Sequence, residues 1–191
     1  MIKICILGEI GSGKSFIAKQ FGYPVFNADN EVGKIYKRDK KCFTKLNKAV
    51  PKYILSFPVN KKEILKSILS NQRNLKKIIK IIHPIVRTRM KKFIYKNRKK
   101  KIIVLDIPLL LENKIEKKND ILVFVDAKKK AIIKNLKKRK NYNLKTIKIL
   151  KKFQLSLNYK KKVSNFVIKN NFKMKPVKKS VKLLKNRILY K

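Results

Sequence analysis

Gly8-Glu9-Ile10-Gly11-Ser12-Gly13-Lys14-Ser15 follows a short β-rich run, Ile2 to Leu7, and precedes Ser15 to Phe21, a stretch whose Phe16, Ile17 and Phe21 can pack inward from one helix. The octapeptide fits the pattern G-x-x-x-x-G-K-[S/T], and strand, loop and helix are the setting in which that pattern binds phosphate. Three of the chain's five glycines lie within it. A Gly-rich turn with an incidental Lys-Ser does not account for that concentration in so Gly-poor a chain. Glycines let backbone N–H groups curl around a β-phosphate, and the following helix turns its positive end toward it. Lys14 is therefore expected to bridge the β- and γ-phosphates of a bound nucleotide, and Ser15 to offer its hydroxyl to Mg²⁺.

Outward from the loop, strand and helix patterns alternate. Pro24 to Asn27 reads as a second strand, followed by Ala28-Asp29 and by helical patterns over Glu31 to Arg38 and Phe43 to Val50, with Pro51 and Pro58 as punctuation. Apolar residues between 61 and 82 recur at a helical period broken near Ser70-Asn71, which predicts two helices. His83-Pro84 is expected to open a further helix to about Asn97, since proline suits a first turn. Lys101 to Asp106 and Ile121 to Asp126 are unbroken apolar runs bounded by charge, the mark of strands buried on both faces. Lys128 to Lys138 and Asn143 to about Asn158 read as helices, Val163 to Ile168 as a last strand, and the chain closes in a helix from about Val177. Strands alternating with helices imply an α/β fold with a parallel sheet flanked by helices.

The chain has 191 residues, 54 basic and 10 acidic, for a net charge of +44. The excess grows along the sequence, and residues 129–191 carry 23 basic side chains and no acidic one. Such a field attracts nucleotides and other polyanions in a salt-dependent way. The cations are spread over nearly every segment, which reads as solvated faces and not as a dedicated nucleic-acid surface, so no specific nucleic-acid partner is expected. No apolar stretch approaches the roughly 20 residues of a membrane span. The N-terminus lacks a signal-peptide pattern, and two cysteines, Cys5 and Cys42, make neither a disulfide framework nor a zinc pattern. A cytoplasmic location is expected, and the oligomeric state is left open.

With so few acids, those at strand ends are informative, because the mouth of a parallel sheet lies at the carboxyl ends of its strands. Asp29 follows the second strand and Asp106 ends the third. A carboxylate there can take the proton of a substrate hydroxyl or hold Mg²⁺ through water, or it can simply cap a helix or a strand end.

The pieces that occur in order are the loop Gly8 to Ser15, Asn27-Ala28-Asp29, His83-Pro84-Ile85-Val86-Arg87, Asp106-Ile107-Pro108-Leu109-Leu110-Leu111-Glu112, Lys138-Arg139 before Gln154, and Val163 to Asn170. Together they resemble the dephospho-CoA kinase family over roughly residues 2 to 170. The combination of the phosphate loop with His-Pro-x-x-Arg and Pro-Leu-Leu-x-Glu carries the likeness. It implies a P-loop kinase-like fold and transfer of the γ-phosphoryl of ATP to the ribose 3′-hydroxyl of dephospho-CoA. It also implies a nucleotide-binding core (1–29, 101–127 and 161–191), a helical acceptor-binding region (30–100) and a lid (128–160). In that scheme Asp29 is the general base or orients the hydroxyl. The nucleotide lies on Gly8, Glu9, Ile10, Gly11, Ser12, Gly13, Lys14, Ser15 and Phe16, and Arg139 supplies lid charge with help from Lys138 and Lys140. His83, Arg87, Pro108, Leu109 and Glu112 join Asp29 in the acceptor site. The chain departs from the family pattern at Asn27 (usually Asp), Glu9 (commonly Gly), Asn135 (often a lid Arg) and Lys169 (an acid). It also lacks an Asp-Arg pair near Asn60-Lys61.

Overall fold

The computed structural model describes residues 1–138 and 142–190. In chain order its elements are β1 (Ile2–Gly8), α1 (Lys14–Gln20), β2 (Val25–Asn27), α2 (Ala28–Arg38), α3 (Lys40–Ala49), α4 (Lys61–Ser70), α5 (Gln72–Lys96), β3 (Ile102–Asp106) and β4 (Ile121–Asp126). Then come α6 (Lys129–Lys137), α7 (Leu144–Lys151), α8 (Leu157–Lys162), β5 (Phe166–Lys169) and α9 (Met174–Leu189). They form two compact units. One comprises Met1–Asn27, Asn97–Asn143 and Lys151–Lys191, and the other comprises Ala28–Lys96 and Leu144–Leu150.

The first unit holds a five-stranded sheet in the order β2-β3-β1-β4-β5. Every pairing is parallel, with Ile4 of β1 in register with Val104 on one side and Ile121 on the other. β1 is thus the central strand, and the phosphate loop leaves its carboxyl end. β3 is buried along its whole length, which is why its sequence, Ile-Ile-Val-Leu-Asp, does not alternate. Ile17, Ala18 and Phe21 from the α1 side and Val177, Val181, Leu184 and Ile188 of α9 close the core around Ile4, Ile6, Val104 and Val123. The 4-3-4 spacing in α9 is one helical stripe. β5 begins at Phe166, later than the apolar run suggests, because α8 continues to Lys162. Leu122 N–H is satisfied instead by the Asn165 side chain, at 2.8 Å.

The second unit is helical. Leu75, Ile78 and Ile82 make the buried stripe of α5, and α2, α3 and α4 all pack on that helix. Its start is marked by the Asn71 side chain accepting from Arg73 N–H at 2.9 Å. The helix expected to open at His83-Pro84 does not start there, because Pro84 lies inside α5, which runs on unbroken. Proline leaves the carbonyl four residues back without its bond. That carbonyl belongs to Lys80, which is exposed, so water can replace the missing donor. The single helix expected over Asn143 to Asn158 is also corrected. It is two helices, α7 and α8, the second started by Ser156, whose hydroxyl accepts from Tyr159 N–H at 3.2 Å.

Candidate active site

Between β1 and α1 the loop is wound tightly. Gly11 and Gly13 take φ of 87° and 89°, in the left-handed region that disfavours other residues. A Cβ on Gly11 would come within 2.6 Å of Leu136 Cγ, and one on Gly13 within 2.3 Å of Asn170 Nδ2, so side chains are excluded by space as well as by conformation. Ser12 N–H donates to Glu9 O at 3.1 Å, and Ile17 N–H to Gly13 O at 3.0 Å, which closes the turn and starts the helix. Lys14 is only 8% exposed, and its Nζ folds back to donate to Gly8 O (3.1 Å) and Glu9 O (2.8 Å). Its charge is held inside the loop. Ser12 Oγ is buried there with no hydrogen-bond partner among the described residues, a group that a bound oxyanion would satisfy. Ile10 is half-buried, while Phe16 packs against the sheet core.

At the ends of the neighbouring strands Asn27, Asp106 and Ser15 meet. The Asn27 amide donates to Asp106 Oδ2 and, at 3.2 Å, to Ser15 Oγ. Asp106 is 2% exposed and Ser15 is exposed. Among the described residues no cluster of three or more His, Cys, Asp or Glu could hold a metal. A hydroxyl and one carboxylate on a common donor beside a phosphate loop nevertheless suit Mg²⁺, which keeps waters and takes its other oxygens from substrate phosphates.

The rim of this unit is laced to the loop. Glu9 forms an ion pair with Lys151. The side chain of Asn135, on α6, donates to Gly11 O at 3.0 Å, and that of Asn170 donates to Ser12 O at 2.7 Å. Beyond β3, Pro108 O accepts from Gln154 Nε2 at 3.5 Å, and Leu109 O accepts from the Asn113 side chain at 2.7 Å. Glu112 Oε1 accepts from Leu155 N–H at 2.9 Å and pairs with Lys160 Nζ at 2.6 Å. Arg139 and Lys140 lie outside the described residues, and Lys138 is the last residue of the α6 cap.

Asp29 belongs to the helical unit, exposed in the first turn of α2. It lines a cleft of about 610 Å³ together with Gly33, Lys34, Tyr36, Lys37, Pro58, Val59, Asn60 and Lys61. A carboxylate and three cations share that cleft. Burial pushes the Tyr36 phenol well above its ordinary pKa. His83 and Arg87 stand one turn apart on α5, half-buried and exposed respectively. Two residues further on, Arg89 pairs with Glu31 at 3.2 Å, and Glu31 also pairs with Lys34 at 2.6 Å. Burial raises the Glu31 pKa, but the hydrogen bonds from Lys34 and Arg89 outweigh it and hold the carboxyl below its ordinary range.

Sequence reasoning missed the braces on the loop, Asn135 and Asn170, and the bridging role of Asn27. A signal existed for two of them, since Asn27 ends β2 and Asn170 directly follows β5, at the mouth of the sheet.

Residues 2–175 match a family model described as dephospho-CoA kinase. A dephospho-CoA kinase of Wolbachia pipientis wMel is 34% identical over 170 residues, covering 86% of this chain and 87% of the relative. Among solved structures, a Thermus thermophilus protein aligns with a TM-score of 0.78 at 23% identity, over 98% of this chain and 97% of the other. The dephospho-CoA kinase from Campylobacter jejuni aligns with a TM-score of 0.64 at 19% identity, over 97% and 96%. At such identities the structural likeness is one of fold, that of the P-loop kinases.

Proposed function

This chain belongs to the dephospho-CoA kinase family, which phosphorylates dephospho-CoA with ATP in the final step of coenzyme A biosynthesis, and from that premise we propose how its residues divide the work. The nucleotide's phosphates lie in the loop 8–15. What carries this reading is the loop itself, with left-handed glycines, a buried Ser12 hydroxyl with no partner among the described residues and the Lys14 ammonium already held inside. Lys14 exchanges its carbonyl partners for β- and γ-phosphate oxygens. Ser15 and Asp106 would hold Mg²⁺, which would neutralise charge on the phosphates. Arg139 adds a cation over the departing γ-phosphoryl.

The acceptor occupies the cleft beside Asp29. Lys34, Lys37 and Lys61 suit an anionic acceptor, and the volume lies within the range of small-molecule sites. Asp29 orients the ribose 3′-hydroxyl and accepts its proton as the new oxygen–phosphorus bond forms. The bond from the γ-phosphorus to the β,γ-bridging oxygen breaks, and ADP leaves. Because the transition state is loose, positioning and charge neutralisation matter more than proton abstraction. Arg87, with His83 beside it, holds an acceptor phosphate, and Pro108, Leu109 and Glu112 also serve the acceptor. Residues 30–100 thus serve the acceptor and 128–160 the nucleotide's lid. A cytoplasmic location is supported by two cysteines that are both buried and unbridged. No helix among the described residues is long and apolar enough to cross a membrane.

The test is ADP formation from Mg-ATP with and without dephospho-CoA, the product being identified by mass. Acceptor-dependent ADP together with CoA is expected, and Lys14→Ala abolishes it. Asp29→Asn should lower turnover by about a hundredfold or more while ATP still binds. Near-normal turnover in that variant would remove Asp29 from the role assigned to it.

A further inference from the structure

The phosphate loop is gripped from outside by two side-chain amides belonging to different elements. Asn135 comes from α6 and takes Gly11 O, and Asn170 comes from the end of β5 and takes Ser12 O, the carbonyls of two consecutive residues. The Gly11–Ser12 peptide is thereby fixed on both edges, its carbonyl by Asn135 and its N–H by Glu9 O. In the next peptide, planarity sets the N–H opposite the carbonyl, so holding Ser12 O turns Gly13 N–H away from Asn170.

Both grips are backed by close packing. Leu136, next to Asn135 in the chain, is buried and fills the space where a Gly11 side chain would stand. Asn170 is 4% exposed and is itself locked, its N–H donating to Asp126 O at 2.7 Å and its Oδ1 accepting from Phe172 N–H at 2.9 Å.

We propose that Asn135 and Asn170 form a two-sided clamp that holds the loop in its anion-binding conformation before the nucleotide arrives, so that both are positioning residues for the triphosphate. The proposal rests on the reading that ATP binds in this loop. Without the clamp the two peptides can rotate, and the ligand must order them on binding, which lowers affinity. The effect falls on the β- and γ-phosphates and not on the acceptor. It depends on an N–H donor, which makes an asparagine at 135 useful where a carboxylate would repel the carbonyl it faces.

The experiment compares the full chain with Asn135→Ala, Asn135→Gln and Asn170→Ala by titration with ATP and with AMP, in about 0.3 M salt to screen non-specific polyanion binding. Steady-state KM and kcat and the melting temperature without ligand are measured beside it. Asn135→Ala is expected to weaken ATP about five- to tenfold, the fold-change of one hydrogen bond. AMP affinity, kcat and the KM for dephospho-CoA should stay within about twofold, the melting temperature should hold, and Asn135→Gln, which keeps the donor, should recover part of the loss. Unchanged ATP affinity in Asn135→Ala overturns the clamp, and so does an equal loss for AMP or for dephospho-CoA. Asn170 is buried, so if Asn170→Ala lowers the melting temperature the Asn135 variants decide alone. A parent that binds dephospho-CoA but not ATP overturns the nucleotide reading and the clamp with it, whereas a parent that binds ATP and an Asn135→Ala that binds it equally overturn the clamp only.

Discussion

Lys160 and Lys161 are neighbours in a basic run, yet the fold treats them as different residues. Lys160 is 1% exposed and faces Glu112, whose second oxygen is buried with no hydrogen-bond partner among the described residues, while Lys161 is half-exposed and reaches Asp126 at the surface. Removing one partner of a buried pair strands the other charge, so Lys160→Met should cost about 3 kcal/mol, whereas Lys161→Met should cost less than about 1 kcal/mol. Urea unfolding of the two variants separates them, and equal midpoints would disprove the difference. Adding Glu112→Leu to Lys160→Met should recover much of the loss, since no buried charge then remains. Nothing local distinguishes the two lysines in the sequence, because their partners lie 48 and 35 positions away. The residues of the phosphate loop were legible for the opposite reason, as their chemistry is carried within eight consecutive positions. Asn135 was opaque because it acts on a backbone carbonyl more than a hundred residues distant, and for Asn170 only its place after β5 was legible, not the carbonyl it holds.

At the scale of elements, the strands were read nearly in full, since apolar runs mark them: Ile-Ile-Val-Leu is buried throughout, whereas Ile-Leu-Val-Phe-Val, expected to be buried on both faces, is fully buried only at Val123, Phe124 and Val125. Helix boundaries were harder to read. Proline signals a first turn in general, but Pro84 sits inside α5, where the stripe of Leu75, Ile78 and Ile82 commits the helix before proline is reached. The join between α2 and α5 is partly electrostatic, through Glu31 with Arg89. Because the Glu31 pKa is depressed in the folded state, its contribution is complete above the ordinary carboxylate pKa and is lost as pH falls through the folded value. Glu31→Gln should therefore lower stability by about 1 kcal/mol at neutral pH, and the gap between parent and variant should close below about pH 4. A gap that stays constant down to acid pH would mean that packing, not charge, joins the helices there.

For the molecule as a whole, the ten carboxylates are too few to balance 54 cations, and several are already taken up locally or in ion pairs, Asp39 by Cys42 N–H, Glu63 by the Ser56 hydroxyl and Asp120 by Lys3. The remaining positive charge repels itself most when the chain is compact. The melting temperature should rise by several degrees from low to moderate salt, and further with sulfate or ATP; a flat profile would show that the lysines are spaced widely enough not to interact. The charge was fully legible in the sequence, but the division into two units was less so, because it depends on which distant segments pair. Ile2 stands in register with Ile102, whereas all but one helix of the helical unit comes from the uninterrupted stretch Ala28–Lys96. During synthesis the ribosome therefore delivers those helices before β3 and β4, and β1 waits as an unpaired strand for its two partners to emerge. Assembly of the nucleotide-binding sheet, begun with β1, is finished only by β5.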